Sequence, residues 1–177
     1  MQYIFNVVIL GAVYAIFFHK RWKKLDRDAS LIYHLIYIYL TLVLFVTLMP
    51  FRIPIPGITG TNNLFWKSIN WVPFIDLIEH NGNAFRGIFL NVVMLIPFGF
   101  LLPRIKEHTG FQIAIFGFLF SLSIETMQLL YVWAGGIENR SFDVTDLITN
   151  TFGALVGYLS HLALFWSQKG FYNQSEE

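Results

Sequence analysis

The chain has 177 residues, of which 55% are hydrophobic and 18% aromatic, while only 13% are charged, against about 25% in ordinary soluble domains. This composition excludes a disordered chain. The lack of cysteine excludes a disulfide scaffold. The high hydrophobic fraction and the low charged fraction predict a single integral membrane domain over residues 1–177. The net charge of +1 provides no basic field, so no nucleic-acid partner is expected.

Five apolar stretches follow one another along the chain, and we predict that each forms a transmembrane helix. A spanning helix needs about 17–25 apolar residues. The second, fourth and fifth stretches reach this length, and the first and third, with 16 residues each, reach it with their flanks. Because no stretch alternates as a barrel strand does, the predicted fold is an all-α polytopic membrane protein. The stretches are Tyr3–Phe18, Leu31–Met49, Gly87–Leu102, Phe111–Trp133 and Leu147–Trp166.

The basic residues favour one orientation of the predicted helices. Five of them follow the first stretch, between Lys20 and Arg27, and cytoplasmic loops typically carry such an excess. With the N-terminus outside and the C-terminus inside, the cytoplasmic segments hold eight basic residues and the outer segments hold four. The sequence therefore predicts an N-out, C-in topology.

Residues 50–86, between the second and third predicted helices, are expected to form an outer interfacial segment. Prolines and glycines break its first part, and Trp66 and Trp71 lie near charged residues, which favours the headgroup layer. One expectation is a short amphipathic helix around Phe74–His80. The alternative is a plain loop with aromatic anchors.

The fourth predicted helix carries Glu125 within its apolar run. A carboxylate in hydrocarbon costs roughly 2.5 kcal/mol or more, so Glu125 must face protein or water, be paired, or be protonated. Ser121 and Gln128 share its helix face, at spacings of four and three residues. In the N-out topology, Glu125 and Gln128 lie in the outer half of the helix.

The fifth predicted helix begins near Val144 and carries a matching polar stripe. Asp143, Asp146 and Asn150 recur at spacings of three and four residues, and Asn91 lies near the outer end of the third helix. Three helices therefore place polar groups at a similar depth, which predicts one shared site. The alternatives are that the aspartates cap a helix N-terminus and that the asparagines form interhelical hydrogen bonds.

The same helix continues with small residues. Gly153 and Gly157 are four positions apart and form a small-xxx-small motif. Such a motif lets two helix backbones approach closely. We therefore predict that another helix packs against this segment.

Two groups of motifs resemble the VanZ-like family over about residues 70–160. The first comprises Asn70-Trp71-Val72-Pro73-Phe74, then Asn91 with Ile96-Pro97-Phe98-Gly99 and Leu101-Leu102-Pro103. The second runs Ser121-x-Ser123-Ile124-Glu125-x-x-Gln128, then Arg140-x-Phe142-Asp143-x-x-Asp146-x-x-x-Asn150-x-x-Gly153-x-x-x-Gly157. The resemblance implies a multi-pass protein of the bacterial cytoplasmic membrane. The family's named member is associated with resistance to teicoplanin, a lipid-bearing glycopeptide antibiotic that acts on cell-wall precursors.

The resemblance and the polar residues together favour a binding protein among membrane lipids. An outward-facing polar pocket would bind a lipid-linked headgroup, such as a cell-wall precursor or the lipoglycopeptide itself, with Arg140 as the phosphate partner. This hypothesis needs no cofactor or metal and assigns no catalytic residue, and the oligomeric state stays open. The candidate binding residues are Asn91, Glu125, Gln128, Arg140, Asp143, Asp146 and Asn150.

Two other functional classes stay open. A membrane enzyme would use Glu125, Asp143 and Asp146 as acid/base groups or as Mg²⁺ ligands to modify a phospho- or glycosyl-lipid. Against this, no pair of nucleophile and base is visible in the sequence. A small transporter is the weaker alternative, because no inverted repeat is detectable and five helices are few.

Overall fold

The computed structural model describes residues 2–49, 68–133 and 141–174, and most of these residues are helical. A π-helical turn, Tyr14–His19, joins the first two helices into one continuous run, and two strands of two residues each pair with one another. The elements are α1 (Gln2–Val13), α2 (Lys20–Trp22), α3 (Arg27–Thr47), β1 (Ile69–Asn70), α4 (Ile75–Ile78), α5 (Ala84–Ile105), α6 (Gly110–Trp133), β2 (Phe142–Asp143) and α7 (Val144–Gln174).

Five helical segments are long and apolar enough to cross a membrane, which confirms the five predicted spans. Each overlaps one apolar stretch of the sequence. The last span is the most enclosed by protein and the first is the least enclosed. The polar stripe on α7 therefore faces other helices. The spans are Ile4–Trp22, Arg27–Thr47, Ala84–Ile105, Gly110–Val132 and Val144–Lys169.

Helices α5 and α7 approach each other closely because glycines line their contact. A methyl group on Gly153 would lie 2.1 Å from the carbonyl oxygen of Val92, and one on Gly157 would lie 2.0 Å from that of Ile96. No side chain fits at either position unless the helices separate. The predicted close packing of the small-xxx-small motif is therefore confirmed. The buried apolar cluster next to this contact is formed by Leu95, Ile113 and Ala154.

Tyrosine hydroxyls on α3 tie that helix to both of its neighbours. Tyr37 donates a hydrogen bond of 2.6 Å to the carbonyl oxygen of Leu10 on α1. Tyr39 donates one of 3.0 Å to the carbonyl oxygen of Met94 on α5. These bonds hold α3 between the exposed first helix and the glycine-packed pair.

The segment before α5 is attached to the start of α7 by a short parallel strand pair. Ile69 pairs with Phe142, and Asn70 pairs with Asp143. α4 lies within the range where a short helix was predicted. The first part of the predicted interfacial segment, residues 50–67, lies outside the described residues. The strand pair brings residues 68–83 over the N-terminus of α7.

Candidate functional site

The start of α7 is organised around the carboxylate of Asp143. Its Oδ1 accepts a hydrogen bond of 2.7 Å from the backbone N–H of Thr145, as an N-cap side chain does. Its Oδ2 accepts one of 2.9 Å from the side-chain amide of Asn70. The helix begins at Val144, as predicted. The interpretation of Asp143 as a helix cap is therefore confirmed.

Glu125 lies behind this cap and is only 2% exposed. Its Oε2 accepts a hydrogen bond of 3.0 Å from the backbone N–H of Asp143. The expectation that this carboxylate faces protein is therefore confirmed. Glu125 fixes the backbone from which the Asp143 side chain extends.

Asn150 and Ser121 form a buried bridge between α7 and α6. The Asn150 amide donates a hydrogen bond of 2.8 Å to the hydroxyl of Ser121. That hydroxyl in turn donates a longer bond, of 3.4 Å, to the backbone carbonyl of Asp146. Both side chains are almost fully buried. Asn150 thus makes the interhelical hydrogen bond that was one of its two predicted roles.

Two other predicted residues, Asn91 and Gln128, make hydrogen bonds between helices. The Asn91 amide on α5 donates a hydrogen bond to Oδ1 of Asp146 on α7. The Gln128 amide on α6 donates one of 3.1 Å to the backbone carbonyl of Thr47, at the end of α3. Asn91 thus joins the network at the start of α7 directly, whereas Gln128 links α6 to the end of α3.

A cavity of about 630 Å³ opens beside this network, between α3, α5 and the start of α7. Four of the predicted residues line it, together with Asp76 of α4. A second pocket of about 260 Å³ lies against α4 and shares Asp76, Asp143 and Asp146 with the first. We call the larger space the acidic cavity. The predicted residues that line it are Asn91, Gln128, Asp143 and Asp146.

Three predicted residues do not belong to the cavity wall that the structure describes. Glu125 and Asn150 lie behind the wall and support it through Asp143 and Ser121. Arg140 lies outside the described residues. The geometry thus separates cavity-lining residues from supporting residues, a distinction that helical spacing alone did not make.

Sequence reasoning missed two residues that shape the site. Asp76 lines both pockets, although nothing in its local pattern distinguishes it from other exposed acidic residues. Asn70 holds the Asp143 carboxylate, and its place in a family-like motif was the signal that could have identified it. Within the described ranges, no group of three or more His, Cys, Asp or Glu side chains is arranged to hold a metal ion.

Comparisons with known proteins identify the family. A family model described as VanZ/LLP1 matches residues 36–166, which extends the similarity beyond residues 70–160 to most of α3. Protein VanZ of Enterococcus faecium is 34% identical over 118 residues, which cover 67% of this chain and 66% of that protein. No solved structure matches the chain. With five helices of spanning length, the chain is a multi-pass membrane protein that belongs to the VanZ/LLP1 family.

Proposed function

We propose that this protein lowers the susceptibility of a bacterial host to teicoplanin and related lipoglycopeptide antibiotics, from the outer face of the cytoplasmic membrane. Family membership and the similarity to Protein VanZ support this proposal. In this proposal the acidic cavity binds the headgroup of a lipid-linked molecule, either a cell-wall precursor or the antibiotic with its lipid.

The observation that carries the proposal is the two-sided character of the acidic cavity. Carboxylate and amide groups line it, and so do several apolar residues of α3 and α5. Three of these apolar side chains, Leu42, Val46 and Leu90, are 58%, 71% and 51% exposed, on helix faces that would meet lipid. A molecule with a polar head and an apolar tail matches both parts at once.

The orientation of the cavity supports the same conclusion. It lies at the end of the bundle where α3 ends and α5 and α7 begin. The excess of basic residues between Lys20 and Arg27 favours a cytoplasmic position for the opposite end. In the proposed N-out orientation, the cavity opens on the side where the antibiotic meets its target.

A resistance assay tests the proposal. Expression of the chain in a teicoplanin-susceptible bacterium should raise the minimal inhibitory concentration severalfold. Asp146→Asn, which keeps an acceptor for Asn91 but removes the charge, should abolish this protection at equal membrane levels of protein. Glu107→Gln is the matched control, because Glu107 is an exposed carboxylate at the other end of α5. Protection that is absent in the wild type would refute the function. Full protection by Asp146→Asn would refute the site.

A membrane enzyme that modifies a phospho- or glycosyl-lipid is the second candidate. It is favoured by three carboxylates, Asp76, Asp143 and Asp146, that line one cavity and that could act in acid/base chemistry. Mass spectrometry of lipids after incubation with the purified chain separates the two candidates. A new lipid product supports the enzyme, and saturable binding with unchanged lipids supports the binding protein.

A further inference from the structure

The charge of the acidic cavity has one sign among the residues that the structure describes. Asp76, Asp143 and Asp146 line it, and its described lining includes no lysine, arginine or histidine. The remaining polar lining residues are neutral. An anionic headgroup placed here would therefore meet like charges, whereas a cationic headgroup would meet opposite charges.

Two of the three carboxylates keep hydrogen-bonding capacity for a ligand. Asp143 uses both oxygens on the chain's own donors, Asn70 and Thr145. Asp146 accepts from Asn91 through Oδ1, and the described residues give its Oδ2 no donor. The Asp76 side chain likewise receives no hydrogen bond from any described residue. Asp146 and Asp76 therefore present acceptors that a donor from outside the chain would satisfy.

The apolar residues of the cavity lining indicate that the ligand also carries an apolar chain. Leu42 and Val46 on α3 and Leu90 and Val93 on α5 line the cavity and are also exposed on the helix surface. The apolar lining is thus continuous with the face that meets lipid in a multi-pass membrane protein. An acyl chain would leave the cavity between α3 and α5 along these four side chains.

We infer that the occupant of the acidic cavity is a single-chain amphiphile whose head carries a protonated amine. The ammonium group donates to Asp146 and Asp76, and the acyl chain extends between α3 and α5. An ammonium group supplies three donors and a positive charge, which matches two open carboxylates better than a phosphate would. This inference rests on the proposed headgroup pocket and names the class of headgroup that it accepts.

Thermal unfolding of the purified full chain in phosphatidylcholine nanodiscs tests the inference. The probes are dodecylamine, which carries a protonated amine at pH 7, and dodecyl phosphate, which has the same chain with a negative head. Hexylamine tests the contribution of the chain length. We expect dodecylamine to raise the unfolding temperature saturably, hexylamine to act only at much higher concentration, and dodecyl phosphate to have no effect.

Two pairs of variants connect the binding to the cavity. Asp76→Asn removes a charge from an exposed side chain on which no described hydrogen bond depends, so the variant should fold. It should weaken dodecylamine binding about two- to fivefold, as expected for the loss of one exposed ion pair. Glu107→Gln is its control. Val46→Trp should block the apolar exit and weaken binding, whereas Leu119→Trp, on an exposed part of α6 outside the cavity lining, should not.

Each alternative outcome overturns a stated part of the inference. Equal or tighter binding of dodecyl phosphate would overturn the charge preference while leaving the proposed headgroup pocket intact. Equal effects of hexylamine and dodecylamine would overturn the acyl exit. If dodecylamine binding is unaffected by Asp76→Asn and Val46→Trp, the occupant lies elsewhere. The teicoplanin assay decides the proposed function independently of all three results.

Discussion

Glu125 shows how one buried carboxylate organises a site that it does not line. It accepts a hydrogen bond from the backbone of Asp143, and Asp143 in turn caps α7 and lines the acidic cavity. The hydrogen bond that offsets the cost of burying Glu125 therefore also fixes the position of the first turn of α7. A buried polar group of this kind stabilises the fold only while its hydrogen bonds are made.

Removing that acceptor should destabilise the protein. Glu125→Leu leaves the Asp143 N–H without its acceptor, so we expect a loss of about 1–3 kcal/mol in the free energy of unfolding. Glu125→Gln keeps a carbonyl oxygen at the same position and should lose clearly less. Thermal unfolding in detergent measures both variants. Equal losses would mean that the negative charge, and not the hydrogen bond to Asp143, makes the larger contribution.

Asn150 allows a second prediction at the level of single residues. Asn150→Leu removes the bond to Ser121, leaving a buried hydroxyl without its donor, and should cost about 1–3 kcal/mol of stability. Ser160→Ala is the control, because Ser160 is exposed and bonds only to the carbonyl of Val156 in its own helix. If both substitutions cost the same, the bridge between α6 and α7 contributes nothing specific.

At the level of elements, the contact between α5 and α7 determines the shape of the acidic cavity. Glycines bring these two backbones together, while α3 is held to α5 by the longer reach of Tyr39. Two walls of the cavity are therefore fixed by backbone contact, and the third is held by side chains. This difference in spacing leaves room for a cavity between α3 and α5.

The glycine contact predicts opposite effects for two equivalent substitutions. Gly153→Ala places a methyl group 2.1 Å from the carbonyl oxygen of Val92, so the helices must move apart, at a cost of about 1–3 kcal/mol or more. Gly11→Ala in α1 meets no atom within 4 Å and should stabilise its helix by up to about 1 kcal/mol. Unfolding temperatures of the two variants compare them directly. A neutral Gly153→Ala would refute the close contact.

The elements also show which parts of the molecule the sequence could predict. Hydropathy identified the five spans because each span carries its own signal along the chain. The start of α7 and its glycine contact were equally visible, since caps and small-residue motifs are local. The pairing of Asn70 with Asp143 was not predicted, because these positions are 73 residues apart and no local pattern links them. Asp76 was not predicted as a site residue because no local pattern links it to Asp143 or Asp146.

At the level of the whole molecule, the polar and apolar residues that line the acidic cavity lie at one end of the helix bundle. Asn91, Gln128 and Asp146 come from three different spans, and all three line the acidic cavity at the end of the bundle where α7 begins. The proposed function requires that this end faces outward. The orientation of the protein in the membrane is therefore the global property that most directly tests the proposed function.

Because the chain has no native cysteine, single introduced cysteines can report its orientation in the membrane. Glu79→Cys, next to α4, should react with a membrane-impermeant maleimide in intact cells, because the N-out topology places it outside. Glu107→Cys, between α5 and α6, should react only after permeabilisation. Both side chains are exposed, so differences in burial do not explain a difference in labelling. The reverse pattern would place the acidic cavity on the cytoplasmic side, where lipoglycopeptides do not act, and would contradict the proposed function even if the cavity binds amphiphiles.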